Sequence, residues 1–473
     1  MIQIKDFILP KDLEPKIHRM WTLSAEKIRA IEKEFDPQQG APVFTVRGRY
    51  TTRGWTEWTQ GFQYGSSLLQ FDATGEAEFL EIGRRNTVNR MAPHVTHFGV
   101  HDHGFNNVST YGNLLRLIAE GRITGNLWER RYYEMAIRCS AAVQAQRWSR
   151  IRDGGFIYSF NGPHSLFADT IRSLRVLALG HRLGHVICQE GDRRVSLLER
   201  LVEHARTTAR YSVYYGEERD AYDVRGRVTH ESIFNMNDGT YRCPNSQQGY
   251  SPFSTWTRGL AWVMLGFVEE LEFLETVPDD ELEPFGGRAE VEAFMLWAAR
   301  ATCDFYIENT PSDGVPYWDT GAPGLSRLGD YLERPAEPFN EHEPVDSSAA
   351  AIAAQALLRL GHVMDCRNAV REGRRYRQAG LTVLETLLSE PYLSTEPAHQ
   401  GLLLHSIYHR PNGWDYVPEC RKVPCGESSM WGDYHLREVS LYVHRLAAGE
   451  QRLVFWPKAV ANTEKKEDKT RWY

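Results

Sequence analysis

The 473-residue sequence has no apolar run of the roughly 20 residues that a membrane-spanning helix needs. Its start, Met-Ile-Gln-Ile-Lys-Asp, lacks the apolar stretch of a secretory signal. Cysteine is scarce and odd in number: seven, at Cys139, Cys188, Cys243, Cys303, Cys366, Cys420 and Cys425. Most stand singly in helical patterns, which excludes a disulfide framework and fits free thiols in a reducing compartment. A cytoplasmic protein is the expectation. Cys420 and Cys425 are the one close pair, and their spacing matches no zinc motif. There is no excess of positive charge: 55 Lys and Arg stand against 62 Asp and Glu, a net charge of −7. That excludes nucleic-acid binding through a basic face, while leaving room for a local pocket for an acidic small molecule. Strand signals are few and short. No βαβ rhythm, no GxGxxG after a strand and no P-loop is present, so nucleotide-binding α/β folds are excluded.

What the sequence has is aromatic residues and apolar helices. Thirteen Trp and 22 Tyr are many; stacking on sugar rings is one use and core packing the commoner one. Residues 10–35 read as an amphipathic helix. A strand-like Val-Phe-Thr-Val follows within 36–56. Then one theme repeats: a polar, aromatic or Gly-rich loop ends in Ser, Thr or Asp, and a long apolar helix begins. Such helices are predicted after Trp58-Thr-Gln-Gly-Phe62 and near Asn107, Asp169, Ser254, Ser347 and Ser428. Between them lie more polar helices at 127–147, 195–215, 287–307, 368–389 and 396–407, charged on one face as an outer layer would be. The alternation recurs at roughly 50–80 residues, as in arrays of helical pairs. The expectation is an all-α toroid of helical hairpins, a single catalytic domain over 1–473. Residues 308–346 would be an ordered loop, and about 462–473 a charged, solvated tail. With the inner helices parallel, their N-terminal loops gather at one mouth.

Several residues at those loops could carry chemistry. In Gln247-Gln-Gly-Tyr-Ser-Pro-Phe-Ser-Thr-Trp-Thr-Arg-Gly-Leu-Ala-Trp262, Ser254 or Thr255 can cap a helix. Trp256, Arg258 and Trp262 then occupy its first two turns. Indoles can wall a sugar-sized slot and a guanidinium can fork onto a carboxylate; a Trp-packed helix start with Arg258 in an internal ion pair is equally open. Asp102, in His101-Asp-His-Gly-Phe105, either faces the mouth or makes a turn with Gly104 at positive φ. His94, His97, His101 and His103 do not place three nitrogens on one helical face, so no metal is predicted. Asp169 either caps its helix or is a buried acid. Desolvation and a second carboxylate would raise its pKa, which is how a general acid is kept protonated near neutral pH. Asp346 reads chiefly as a cap, and Asp433 as a cap or a site residue. Arg152, Arg172 and Arg242 read as structural or surface ion pairs before sulfate partners.

Taken together, Trp58-Thr-Gln-Gly-Phe62, His101-Asp-His-Gly-Phe105, Ser254-Thr-Trp-Thr-Arg-Gly-Leu-Ala-Trp262, Asp346-Ser-Ser-Ala-Ala-Ala-Ile and Trp431-Gly-Asp-Tyr434 resemble the unsaturated glucuronyl hydrolases, glycoside hydrolase family 88. The likeness covers roughly residues 50 to 445. It implies an (α/α)6 barrel and hydration of a C4=C5 vinyl ether in an unsaturated uronyl oligosaccharide left by a polysaccharide lyase. It implies no metal or organic cofactor. Asp169 matches the acid/base that protonates C4 and activates water for C5. Asp102 matches the second carboxylate, which holds ring hydroxyls and helps keep Asp169 protonated. Trp58, His101, His230, Gln247, Gln248, Trp256, Arg258 and Trp262 match substrate-binding positions. Gln247 stands where the family has His, Gln63 where it often has Trp, and Ser173 where it often has Asn; 216–246 departs from the family pattern. An ordinary glycosidase, a sugar epimerase or a non-catalytic carbohydrate-binding relative on the same barrel are the alternatives.

Overall fold

The computed structural model describes residues 1–54 and 57–456. The charged tail and Trp55-Thr56 of the first loop lie outside the described residues. The chain is mostly helical. Helices α1 (Glu14–Glu34), α2 (Gln60–Thr74) and α3 (Ala77–Arg90) come first. Then α4 (His103–Asn107) runs through a π turn at Val108–Gly112 into α5 (Asn113–Ala119), one bent helix, followed by α6 (Leu127–Gln146). Next are α7 (Thr170–Ser173), α8 (Arg175–Arg182) and α9 (Leu197–Tyr211). The last five are α10 (Thr257–Leu274), α11 (Gly287–Glu308), α12 (Ser347–Cys366), α13 (Val370–Leu387) and α14 (Met430–Ala447).

The buried helices neighbour one another in a cycle. α2 packs on the bent α4–α5 helix, α4 on α7, α7 on α10, α10 on α12, α12 on α14, and α14 back on α2. Every residue of α10 is buried, as are nearly all of α12. The Ala run at the start of α12 and Gly266 on α10 permit this closeness. A Cβ on Gly266 would lie 2.9 Å from the Arg172 backbone nitrogen of α7. Outside the cycle, α3 packs on α2, α6 and α9 on α8, α11 on α10, α13 on α12, and α1 on α14. These outer helices bury one stripe and leave the other charged, the pattern read from the sequence. Among the described residues no helix is long and apolar enough to cross a membrane.

Two local expectations are corrected below. The few strand signals correspond, among the described residues, to nine short strands in four small antiparallel sheets. One joins β5 (Ser165–Phe167), β8 (Glu231–Phe234) and β9 (Tyr241–Asn245), and the last two lie in the segment that departs from the family pattern. Residues 396–407 are not a helix. Leu402, Leu403 and Ile407 are buried, but the Leu402 and Leu403 N–H groups donate to the Asp433 carboxylate, and Leu403 and Leu404 bridge to Leu393 and Ser428. Neither Ser254 nor Thr255 caps α10. Trp256 holds the cap position without a side-chain bond, because the Thr255 hydroxyl donates to the Val228 carbonyl instead.

Candidate active site

The loops preceding the buried helices do meet at one end. There a pocket of about 900 Å³, part of it open to solvent, is lined by Asp102, Asp169, Trp58, Trp256 and Arg258 among others.

Asp169 and His230 are set side by side by the sheet. Phe167 of β5 pairs with Glu231 of β8, and the Ala168 N–H donates to the His230 carbonyl at 2.9 Å. Asp102 is brought to the same place by a close helix contact. The Gly104 N–H donates to Ser173 Oγ at 2.8 Å, and that hydroxyl donates to the His101 carbonyl at 2.7 Å. Gly104 has an ordinary helical backbone. Its lack of a side chain serves approach, since a Cβ would lie 2.0 Å from the Ser173 carbonyl oxygen. Of the two readings open for Asp102, the turn with Gly104 at positive φ is not the one found.

His101 stands between the two carboxylates. Its Nε2 is 3.3 Å from Asp169 Oδ2 and 3.9 Å from Asp102 Oδ1. His230 accepts the Gln247 N–H on Nδ1 at 3.0 Å. Its proton is therefore on Nε2, which lies 4.0 Å from Asp169 Oδ1. Burial pushes the His230 pKa down to about 4, against the pull of Asp169 and Glu231. Burial also pushes Asp169 upward, but the His101 hydrogen bond and the charges of His101 and His230 outweigh it, and its pKa ends below the ordinary value. Burial opposes the charge on His101 too; the Asp102 charge and the Asp169 hydrogen bond prevail and raise its pKa. Asp102 ends above the ordinary value, through burial and the charge of Asp169. The sequence expectation of a protonated Asp169 with a raised pKa is thus corrected: the neighbouring imidazole holds the proton in the free protein.

His101, Asp102 and Asp169 are also the one group among the described residues whose ligand atoms, all within 4.8 Å of one another, could hold a cation. The proton shared by His101 and Asp169 occupies two of those atoms, so a cation would have to displace it.

Aromatic rings wall the slot. Trp58 stacks on Trp431 at 5.0 Å and 26°, Phe105 packs on Trp262 at 4.8 Å, and Trp256 meets His230 edge-on at 5.0 Å. Arg258 lies over Trp256 and Trp431, at 4.6 and 4.9 Å. Its guanidinium is already committed. It pairs with Asp346 at 2.9 Å, donates to the Ile407 and Tyr408 carbonyls, and reaches Gln248 Oε1 at 3.2 Å. Arg258 therefore fixes the 405–415 loop, in the internal ion pair the sequence left open. Asp346 does cap α12, accepting the Ser348 N–H at 3.1 Å. Asp433 is structural as well, accepting Tyr50 Oη–H at 2.8 Å and the two leucine N–H groups. Arg172 is buried between Glu269 and Glu438, at 2.6 and 2.9 Å. Arg152 and Arg242 do not line the pocket.

Of the predicted site residues, Asp102, Asp169, Trp58, His101, Gln247, Gln248, Trp256, Arg258 and Trp262 line the pocket, and His230 stands behind Asp169. Sequence reasoning missed Glu57, Phe160, Tyr408, His409, Asn412 and Trp414. The last four come from the 405–415 loop, which the Asp415 carboxylate folds by accepting the Tyr408 and His409 N–H groups at 2.5 and 3.0 Å. An Asp seven residues after Tyr408 was the sequence signal available for that turn.

No family model matches the chain. It is 26% identical over 415 residues to the unsaturated glucuronyl hydrolase of Bacillus sp. (strain GL1), covering 85% of this chain and 90% of that one. It is 25% identical over 387 residues to the unsaturated glucuronyl hydrolase of Formosa agariphila, covering 81% and 78%. The crystal structure of an unsaturated glucuronyl hydrolase from Streptococcus agalactiae superposes with a TM-score of 0.69 at 20% identity, covering 96% of this chain and all (100%) of that one. This last likeness shows the fold.

Proposed function

We propose that the chain is an unsaturated glucuronyl hydrolase, whose pocket hydrates the C4=C5 double bond of a terminal unsaturated uronyl sugar on an acidic oligosaccharide. The cycle of buried helices, each backed by an outer helix, supports reading the fold as an (α/α)6 barrel and the chain as one catalytic domain. Seven free cysteines support a cytoplasmic location.

The observation that carries this reading is a carboxylate, Asp169, buried at the foot of an aromatic slot with a proton-bearing imidazole 3.3 Å away. The uronyl ring would lie between Trp58 and Trp256, with its hydroxyls toward Asp102 and Gln248. Its own negative charge, arriving beside Asp169, favours transfer of the His101 proton onto that carboxyl. Asp169 then gives the proton to C4, and positive charge develops at C5 and the ring oxygen. Water attacks C5 and returns a proton to Asp169. The hemiketal opens, and the aglycone leaves. His230, neutral with its protonated Nε2 4.0 Å from Asp169 Oδ1, turns the positive end of its ring dipole toward the Asp169 carboxylate after it has given up its proton. Positioned acid–base groups of this kind contribute about 10²–10⁴-fold.

The test is to follow the ultraviolet band of lyase-generated unsaturated disaccharides in heavy water. Loss of the band with deuterium at C4 is expected. Asp169→Asn should abolish that loss while circular dichroism and thermal midpoint stay near wild type. A fully active Asp169→Asn, or release of the aglycone with the double bond intact, would sink the reading.

A further inference from the structure

We propose that the foot of the slot is also an inhibitory metal site: His101 Nε2 and the carboxylates of Asp102 and Asp169 take one divalent transition-metal ion, such as zinc(II), which shuts the enzyme off. That the ion inhibits rests on the reading above; that it binds does not. The three ligand atoms lie within 4.8 Å of one another. His101 Nε2 is 3.3 Å from Asp169 Oδ2 and 3.9 Å from Asp102 Oδ1. At the usual zinc bond lengths, the ligand atoms of a tetrahedral set stand about 3.3–3.6 Å apart. The edge from His101 to Asp169 already has that length. The two edges to Asp102 close as its carboxyl moves inward, by at most about 1.5 Å.

Both carboxyls have oxygens to give. Asp102 lines the pocket, is only 9% exposed, and accepts no hydrogen bond among the described residues. Asp169 Oδ1 is buried and likewise accepts none, with His230 Nε2 4.0 Å away. Among the described residues neither carboxylate has a Lys or Arg ion pair, so two buried carboxylates share the His101 imidazolium and keep a net negative charge. Arg258, on the pocket wall, is paired with Asp346 at 2.9 Å. Arg147, whose charge reaches Asp102, gives its donors to the Phe98, Tyr158 and Ser159 carbonyls and does not line the pocket. Buried charges persist in proteins when they are paired or coordinate a metal.

The donor set chooses among ions. One imidazole nitrogen with two carboxylates suits zinc(II) and cobalt(II). Calcium asks for about six to eight oxygens, and magnesium for a strict octahedron of them. Three protein ligands leave the fourth position open to the slot. An ion so held displaces the proton that His101 and Asp169 share, which leaves to solvent. It also engages the Asp102 carboxyl that ring hydroxyls would use, and it fills the deep end where the uronyl ring would lie.

The experiment uses the full-length protein carrying Cys366→Ser, because the exposed Cys366 thiol lies 3.3 Å from His362 Nε2 and would bind the same ions. Cobalt(II) chloride is titrated in at about pH 7.5 and its visible ligand-field bands are followed. Saturation at one ion per chain is expected, without the near-ultraviolet band of a thiolate ligand. Asp102→Asn and His101→Gln, each checked by circular dichroism, should weaken binding by more than the roughly 10–100-fold that losing an outer partner of a ligand costs. Saturating zinc(II) should lower turnover of an unsaturated disaccharide at least about tenfold, in competition with the sugar, while magnesium and calcium leave it unchanged. Absence of saturable cobalt binding, or binding that both variants leave unchanged, overturns the proposal whatever the turnover. Full turnover with the site saturated overturns the inhibition. Cobalt held through His101 and Asp102 by a protein that hydrates no unsaturated disaccharide leaves the metal site standing and overturns the activity instead.

Discussion

His101 is where two carboxylates and a proton are balanced. Its Nε2 faces Asp169 at 3.3 Å and Asp102 at 3.9 Å, and Phe167 and Phe160 cover its ring. Such a cluster titrates as a unit. The raised His101 pKa means that the imidazole keeps its proton to a higher pH than an ordinary histidine. If that proton is the one delivered to C4, activity is held below this pKa and lost as pH rises through it, so the alkaline limb should lie above about 6.5. His101→Gln keeps a donor at similar reach but cannot be charged. We expect kcat to fall about 10²–10⁴-fold and the alkaline limb to disappear from the kcat/KM profile. A limb unmoved in the variant would assign the proton to Asp102, the other group raised by its surroundings.

At the scale of elements, the site depends on how closely α4 approaches α7. Gly104 donates to Ser173, Ser173 donates to His101, and no room remains between the backbones. Gly104→Ala should push the two helices apart. Overpacking of this kind costs about 1–3 kcal/mol. A displacement near 1 Å at the site costs roughly 10²-fold in rate. The expected result is a lowered denaturant midpoint together with a larger loss in kcat than in substrate affinity; a variant that loses stability but keeps kcat would show that the contact does not set the geometry. This contact also shows what the sequence made legible. Asp102 and Asp169 each precede a buried helix with recurring apolar residues, so their convergence followed from periodicity once the helices were taken as parallel. Ser173 stood out as an exception to the family pattern, yet its bridging role needs the partner helix in place. The 405–415 residues were hidden because Arg258 and Asp415 place them, and the first acts across some 150 positions of sequence. The apolar spacing of 396–407 imitated a helix because Asp433, far along the chain, supplies its N–H groups with acceptors.

For the whole molecule, closure of the helical cycle can be tested at the end of α2. Asp72 is buried among three guanidiniums: Arg116 of α5 at 2.7 Å, Arg445 of α14 at 2.7 Å, and Arg122 at 3.2 Å. It ties the first buried helix to the second and to the last. Burial alone would raise its pKa, but Arg116 and Arg445 outweigh burial and hold it below the ordinary value. A carboxylate depressed on folding adds stability that is fully present above its unfolded pKa, near 3.9. That contribution is lost as pH falls through the folded value. Asp72→Ala leaves Arg116 and Arg445 buried with Glu120 as their one shared carboxylate among the described residues. Breaking a buried pair in this way costs about 3–5 kcal/mol. The expected outcome is a fall of that size in unfolding free energy at pH 7. The wild-type advantage over the variant should then narrow as the pH is lowered below 3.9. A loss under about 1 kcal/mol, the size of an exposed ion pair, would mean that apolar packing alone closes the cycle. The charges inside it would then serve register rather than strength.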